Sequence, residues 1–202
     1  MLSTLVQFTV HNSNHEDAHR VVLRITRDLP TPISLNSTTS QLLKGIVLPN
    51  FATLCYLRYR SRVLLLRKAK GLFGEGKWNA PGGKLIGGET PEEGTLREML
   101  EETGLKVSGL HFHGILNFYL GRSRRLDQVV FVFSCVRHTG KMRRSREGIL
   151  RWFLIHQIPY SEMWEDDREW LPFLLEGENF VGDFHFTDNY GCLIGHKLHL
   201  TP

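Results

Sequence analysis

The chain has 202 residues, 41% hydrophobic and 23% charged, with a net charge of +4 and a pI near 9.1. That length builds one domain with a sizeable core plus a tail, and the composition excludes a fibrous or disordered chain. The mild basicity suits an acidic substrate such as a nucleotide without requiring a nucleic-acid partner.

No apolar run reaches the length of a membrane span, and the N-terminus lacks the pattern of a signal or transit peptide. Cys55, Cys135 and Cys192 are too few and too dispersed for a disulfide framework or a Cys-x-x-Cys metal site. A soluble, cytoplasmic protein with buried, reduced thiols is expected.

Residues 1–50 differ from the remainder. Ser, Thr, Asn and Pro concentrate from Pro30 to Ser40, a linker composition, and two short apolar pieces, Leu5 to Val10 and Val21 to Ile25, read as strands. His11, His15 and His19 recur at i, i+4 and i+8, but Asn12, Ser13 and Asn14 are poor helix formers and no fourth ligand is near. Residues 1–50 are therefore expected to be a weakly ordered N-terminal extension, and residues 51–202 the main folded domain.

From Phe51 the pattern is regular. Ala52 to Tyr59 and Val63 to Lys68 read as a hairpin turning at Arg60 and Ser61, followed by a glycine-rich loop from Gly71 to Gly88. This loop is neither of the common nucleotide fingerprints. Gly74-x-Gly76 lacks a third glycine at Asn79, and Gly83-Lys84 is followed by Leu85 where a P-loop needs Ser or Thr. The paired Gly82 and Gly83 instead allow close backbone approach, so that a carbonyl can reach a metal ion.

The next helix is bounded by its own residues. Thr90 as N-cap, Pro91 at the first helical position and Glu93 at the third form a capping box, and Gly104 stands where a helix ends, so the helix runs from Pro91 to Thr103. On it Glu98, Glu101 and Glu102 share one face. Like charges at that spacing cost roughly 0.2 to 0.5 kcal/mol per pair, so the cluster makes better sense around a hard divalent cation with oxygen ligands. Magnesium bridging a diphosphate is the natural occupant, with manganese as the alternative.

Beyond it, strands at Leu110 to Leu120 and Gln128 to Val136 flank a basic turn from Gly121 to Arg125, and Ile149 to Ile155 is a further strand. A second helix is expected from Trp164 to Leu175, then strands at Asn179 to Phe186 and Cys192 to Leu198. This order implies an α/β sandwich with a mixed sheet covered by helices. Arg122, Arg124 and Arg125, like Lys141, Arg143, Arg144 and Arg146, fall on turns and read as solvated rather than as an RNA surface. His111 and His113 share a strand face without a third ligand and read as packed or solvated.

From Gly83 to Leu105 the chain reads G-x5-E-x7-R-E-U-x-E-E-x-G-U, with Met99 and Leu105 at the apolar U positions. Its seven fixed identities coincide by chance at roughly one in 10⁸ per start position. The segment resembles the box of the Nudix hydrolases, and from about Thr53 onward the chain is similar to the animal MutT-type members that hydrolyse 8-oxo-dGTP to the monophosphate and pyrophosphate. The pieces that carry this are G-K-W-N before the box, Q-I-P, M-W-x-D-D, and W-L-P-F-L-L followed by F-x-G-x-F.

The resemblance implies a Nudix-type α/β/α sandwich, with Glu98, Glu101, Glu102 and the Gly82 carbonyl as metal ligands and Glu102 as the base. It also implies Glu147 as an acid brought to the metals from outside the box, and a structural pair of Glu89 and Arg97. Gly83 and Lys84 would meet the substrate beside the metal. Trp164 would stack a purine while Asp166 and Asp167 address its edge, one neutral and one ionised. Asn79 would read the base from the other side, with Phe73 and Phe118 as walls and Thr53 and Lys68 as floor. The implied partner is a small purine nucleotide, with no nucleic acid or membrane, and with monomer and homodimer both open. ADP-ribose, dinucleoside polyphosphates or unmodified triphosphates are the alternative substrates, and a silent nucleotide- or RNA-binding module is disfavoured because every acid of the box is present.

Overall fold

A computed structural model describes residues 4–10, 21–27, 49–143 and 145–202. His11, His15, His19, the Pro30 to Ser40 stretch and Arg144 lie outside the described residues. The chain divides into two compact units, residues 1–47 and 48–202. In the first, β1 (Thr4–Val10) pairs antiparallel with β2 (Val21–Arg27).

The second unit runs β3 (Asn50–Tyr59), β4 (Arg62–Lys68), β5 (Trp78–Asn79), α1 (Pro91–Thr103), β6 (Leu105–Ser108), β7 (His111–Leu120) and β8 (Arg125–Cys135). It continues with β9 (Arg137–Gly140), β10 (Gly148–Leu154), α2 (Asp167–Glu176), β11 (Asn179–Phe186) and β12 (Leu193–Thr201). Seven strands form a mixed sheet in the order β10-β4-β3-β8-β7-β11-β12, with β5 added on β4. The β3–β8 and β7–β11 pairs are parallel, and β6 pairs with β9 apart from this sheet.

Strand alternation explains why both faces are covered. Ala52, Tyr56, Val63, Leu65, Leu116, Val130, Val132, Phe180 and Phe184 form one core with Trp170, Leu171 and Leu174 of α2. The alternate residues Cys55, Leu57, Leu64, Leu66, Val129, Phe131 and Phe133 are equally buried. They belong to the other face, and α1 packs against β3 and β6. This is the expected α/β sandwich.

One irregularity builds the site. β3 and β4 pair directly only at Arg58–Val63 and Tyr59–Arg62, and beyond that the strands part to admit the glycine-rich loop. There the Thr53 and Cys55 amides donate to the Gly83 and Pro81 carbonyls, both at 2.9 Å.

The expected elements need few corrections. α2 begins at Asp167 rather than Trp164, because the Asp167 carboxylate accepts the Trp164 amide at 2.9 Å and holds residues 164–166 in a turn. β8 starts at Arg125, shortening the basic turn, and β5, β6 and β9 were not expected. Cys55 and Cys135 are buried and unbridged, but Cys192 is exposed. No helix among the described residues is long and apolar enough to cross a membrane.

Candidate active site

The helix that carries the acids is set by local chemistry. The Thr90 hydroxyl accepts the Glu93 amide at 3.2 Å, the Glu93 carboxylate accepts the Thr90 amide at 2.8 Å, and Gly104 closes the helix at φ 76°. The two loop glycines then let the backbone press against it. A Cβ on Gly82 would be driven into the Thr53 carbonyl oxygen, and one on Gly83 would lie 2.5 Å from Glu98 Oε1. Because the Pro81 and Gly83 carbonyls bond to β3, the intervening Gly82 turns to the opposite edge, where its amide donates to Glu102 Oε2 at 2.8 Å.

Two cations organise the carboxylates. Arg97 grips Glu89 with two nitrogens, at 2.6 and 3.0 Å, and also reaches Glu98 at 2.7 Å, Glu101 at 3.4 Å and the Lys84 carbonyl at 3.0 Å. Glu89 in turn accepts the Ile86 amide at 2.7 Å. This ties the loop to the helix, as expected of the Glu89–Arg97 pair, and the Arg97 hydrogen bonds pull the Glu89 carboxyl below its usual range. Lys68 lies between Glu102, at 2.7 Å, and Glu147, at 3.3 Å. Burial pushes the Glu102 carboxyl up, which Lys68 and the Gly82 amide offset only in part. Burial draws Lys68 down, but its two carboxylate partners overcome this and hold it above its ordinary value.

Lys68 is thus more than pocket floor, the role expected of it. Among the described residues no three His, Cys, Asp or Glu side chains converge into a ready metal cluster. Glu98 and Glu101 are held by Arg97, and Glu102 and Glu147 by Lys68.

A cavity of about 480 Å³ adjoins these acids. Its lining includes Thr53, Lys68, Phe73, Asn79, Gly82, Gly83, Lys84, Phe118, Glu147, Trp164, Asp166 and Asp167, so most of the expected site residues meet there. Thr53 Oγ1 is buried without a hydrogen-bond partner in the protein. The Asn79 carbonyl oxygen accepts from the Tyr56 hydroxyl at 3.3 Å and the Ala80 amide at 2.7 Å, leaving the NH2 as its donor.

Asp166 and Asp167 are both almost wholly buried. Asp166 accepts the Trp170 indole N–H at 2.9 Å, and burial pushes its carboxyl up to about 6. Asp167 is raised further, first by burial and then by the charge of Asp166. Burial and mutual repulsion thus push both carboxyls of the pair in the same direction, toward the neutral form.

The Trp164 ring is already engaged within the protein. It is not an open shelf: it stacks on Phe73 at 5.1 Å and carries the Lys77 ammonium 4.9 Å above its ring. Lys77 and Tyr190 also line the cavity and were missed in the sequence. Lys77 had a signal in its place between Gly76 and Trp78, whereas Tyr190 sits in an Asp-Asn-Tyr-Gly run that reads only as a turn.

Comparison with known proteins places this geometry. The oxidized purine nucleoside triphosphate hydrolase of Mus musculus is 42% identical over 137 residues, covering 67% of this chain and 86% of that protein. The protein of the same name from Danio rerio is 41% identical over 147 residues, covering 72% and 92%. The crystal structure of a mutator MutT protein from Bacillus halodurans matches with a TM-score of 0.67 at 29% identity, covering 74% of this chain and 97% of that one. Residues 49–174 match the NUDIX domain, and the chain belongs to the Nudix hydrolase family.

Proposed function

We propose that this Nudix hydrolase acts on oxidised purine nucleoside triphosphates, 8-oxo-dGTP foremost, releasing the monophosphate and pyrophosphate. The observation that carries this reading is a single cavity joining two unlike ends. Asp166, Asp167 and Asn79 stand among its lining with the phosphate-side groups Lys68, Gly82, Gly83 and Glu147. Its volume suits a nucleotide.

At the base end, Asp166 and Asp167, both raised by burial, can hold one proton between them, so that one carboxyl donates and the other accepts, which matches a purine edge that presents both acceptor and donor groups. The Asn79 NH2 and the unpartnered Thr53 hydroxyl supply further polar contacts. The names of the mouse and zebrafish relatives support the same substrate class.

At the phosphate end the donors are hard oxygens, which fit magnesium or manganese. Glu98, Glu102 and the Gly82 carbonyl would hold the ion, with Glu101 and Glu147 as outlying ligands. The fit is supported by Gly83, whose missing Cβ leaves the Glu98 carboxylate accessible from the loop. Held by these residues, a divalent ion would draw charge off the diphosphate and acidify a water. Glu102, buried beside Lys68 and the Gly82 amide, would take the proton from the attacking water. The water oxygen adds to phosphorus as the bond to the pyrophosphate oxygen breaks. Lys68, relieved of Glu102 and Glu147, is left to face the phosphates.

Glu102→Gln tests this assignment. It removes a proton acceptor worth roughly 10² to 10⁴ in rate while keeping size, and with it a carboxylate proposed to hold the ion, so kcat in saturating magnesium should fall by at least that span. Unchanged turnover in magnesium would show that another group is the base.

A further inference from the structure

Tyr190 ends a single 3-10 turn after β11, Asp188–Tyr190, and both it and Asn189 have positive φ, 55° and 58°. A bulky residue seldom adopts that conformation unless its surroundings hold it there. Two sets of contacts do. The phenol donates to Asp127 Oδ2 at 3.0 Å, while Asp127 Oδ1 accepts from Arg125 at 2.7 Å. The ring meets Phe73 at 5.2 Å, Phe186 at 5.5 Å, Trp164 at 5.8 Å and Phe118 at 6.2 Å.

These four rings form two pairs from different parts of the fold. Phe73 and Trp164 stack at the glycine-rich loop and the approach to α2, and Phe118 and Phe186 pack between β7 and β11. Tyr190 touches both pairs. A flat base entering the cavity must find a slot among these rings, and the Trp164 ring already packs against Phe73 and Lys77. Phe73 has no polar anchor and is 62% exposed, so it is the ring that can move aside. Tyr190, tethered to Asp127, stays.

We propose that Tyr190 is a specificity-determining residue of the base pocket, its ring fixing the width of the slot between the two aromatic pairs, and that Asp127 is the positioning residue that holds it. The inference rests on the purine reading above. It assigns base recognition to a C-terminal turn outside both the Nudix box and the Asp166–Asp167 pair, and it leaves the phosphate chemistry untouched.

Binding of 8-oxo-dGMP and of dGMP to the full chain, measured by calorimetry, tests it alongside steady-state kinetics. Tyr190→Ala should weaken 8-oxo-dGMP binding by about tenfold or more, the scale of a lost aromatic contact with its buried area. KM should rise in parallel, kcat should stay within about threefold, and the preference over dGMP should shrink. Tyr190→Phe keeps the ring and loses the tether, so it should retain most of the affinity, with a loss of about threefold on the scale of one hydrogen bond. Asp127→Ala should match Tyr190→Phe. If Tyr190→Ala does not fold, Tyr190→Phe and Asp127→Ala decide: wild-type affinity and preference in both would overturn the proposal. Equal binding of the two monophosphates by the wild-type chain would instead sink the purine reading. A wild-type preference that Tyr190→Ala retains in full would overturn the role of Tyr190 alone.

Discussion

The Lys68 ammonium lies 2.7 Å from Glu102 Oε1, and the Glu102 side chain is only 2% exposed. The lysine stands where a cation is needed to hold a buried carboxylate beside Glu147. Breaking such a pair leaves an uncompensated charge, which costs several kcal/mol when both partners are buried. With Lys68 still a fifth exposed, Lys68→Met should cost about 2 kcal/mol of stability. Saturating magnesium should recover more of that loss than it adds to the wild-type chain, because the ion supplies the missing positive charge. Thermal denaturation with and without magnesium reads both effects, and an equal deficit in the two conditions would separate Glu102 from the metal.

The loop glycines predict two different failures. Gly83→Ala puts a methyl group 2.5 Å from the Glu98 carboxylate, displacing a side chain that can turn away. Activity should fall by roughly 10²-fold, the penalty of a misplaced catalytic group, with the melting temperature little changed. Gly82→Ala drives a methyl into the Thr53 backbone carbonyl, so it should destabilise the fold by about 2 kcal/mol or more. Paired kinetic and melting measurements separate the two, and identical behaviour would contradict this division.

Arg97→Lys should not be a conservative change. The guanidinium spans Glu89, Glu98 and the Lys84 carbonyl at once, and an ammonium cannot reproduce that fork. A loss of about 10- to 100-fold in magnesium affinity or turnover is expected, the usual cost of removing a group that orients metal ligands. Wild-type affinity in Arg97→Lys, read by metal titration, would show that the loop holds without it.

Asp166 predicts a pH dependence of stability with a definite sign. Its carboxyl is raised by burial from the ordinary 3.8 to about 6, so between those values the folded chain keeps a proton that the unfolded chain has released. Its contribution is fully present below about pH 4 and is lost as pH rises through 6. Asp166→Asn keeps an acceptor for the Trp170 indole and lacks this titration. Relative to wild type, the variant should gain up to about 3 kcal/mol between pH 4 and 6.5, and the gain should grow further above that range because Asp167 no longer faces the Asp166 charge. Parallel stability curves across that range would remove the burial argument.

α1 was legible to the residue because its signals are local: Thr90, Pro91, Glu93 and Gly104 act within one turn of where they stand. β11 was equally plain, its alternating burial showing as alternating polarity. β6 and β9 were not, because four-residue strands such as Leu105–Ser108 and Arg137–Gly140 are too short to establish a period. In the site, the Glu89–Arg97 pair was readable from the box. The bridging of Glu102 and Glu147 by Lys68 depends on β4, α1 and the approach to β10 meeting in space, which no spacing encodes. The packing of Phe73 and Lys77 on Trp164 depends likewise on how the glycine-rich loop folds back toward α2.

The central claim, that one cavity couples pyrophosphate hydrolysis to inspection of an oxidised purine, is tested most directly by turnover of a nucleotide panel in magnesium with identification of the leaving group. The account predicts a higher kcat/KM for 8-oxo-dGTP than for dGTP, with the monophosphate and pyrophosphate as products. Inactivity on oxidised purine triphosphates alongside rapid cleavage of ADP-ribose, dinucleoside polyphosphates or unmodified triphosphates, or release of inorganic phosphate, would contradict it.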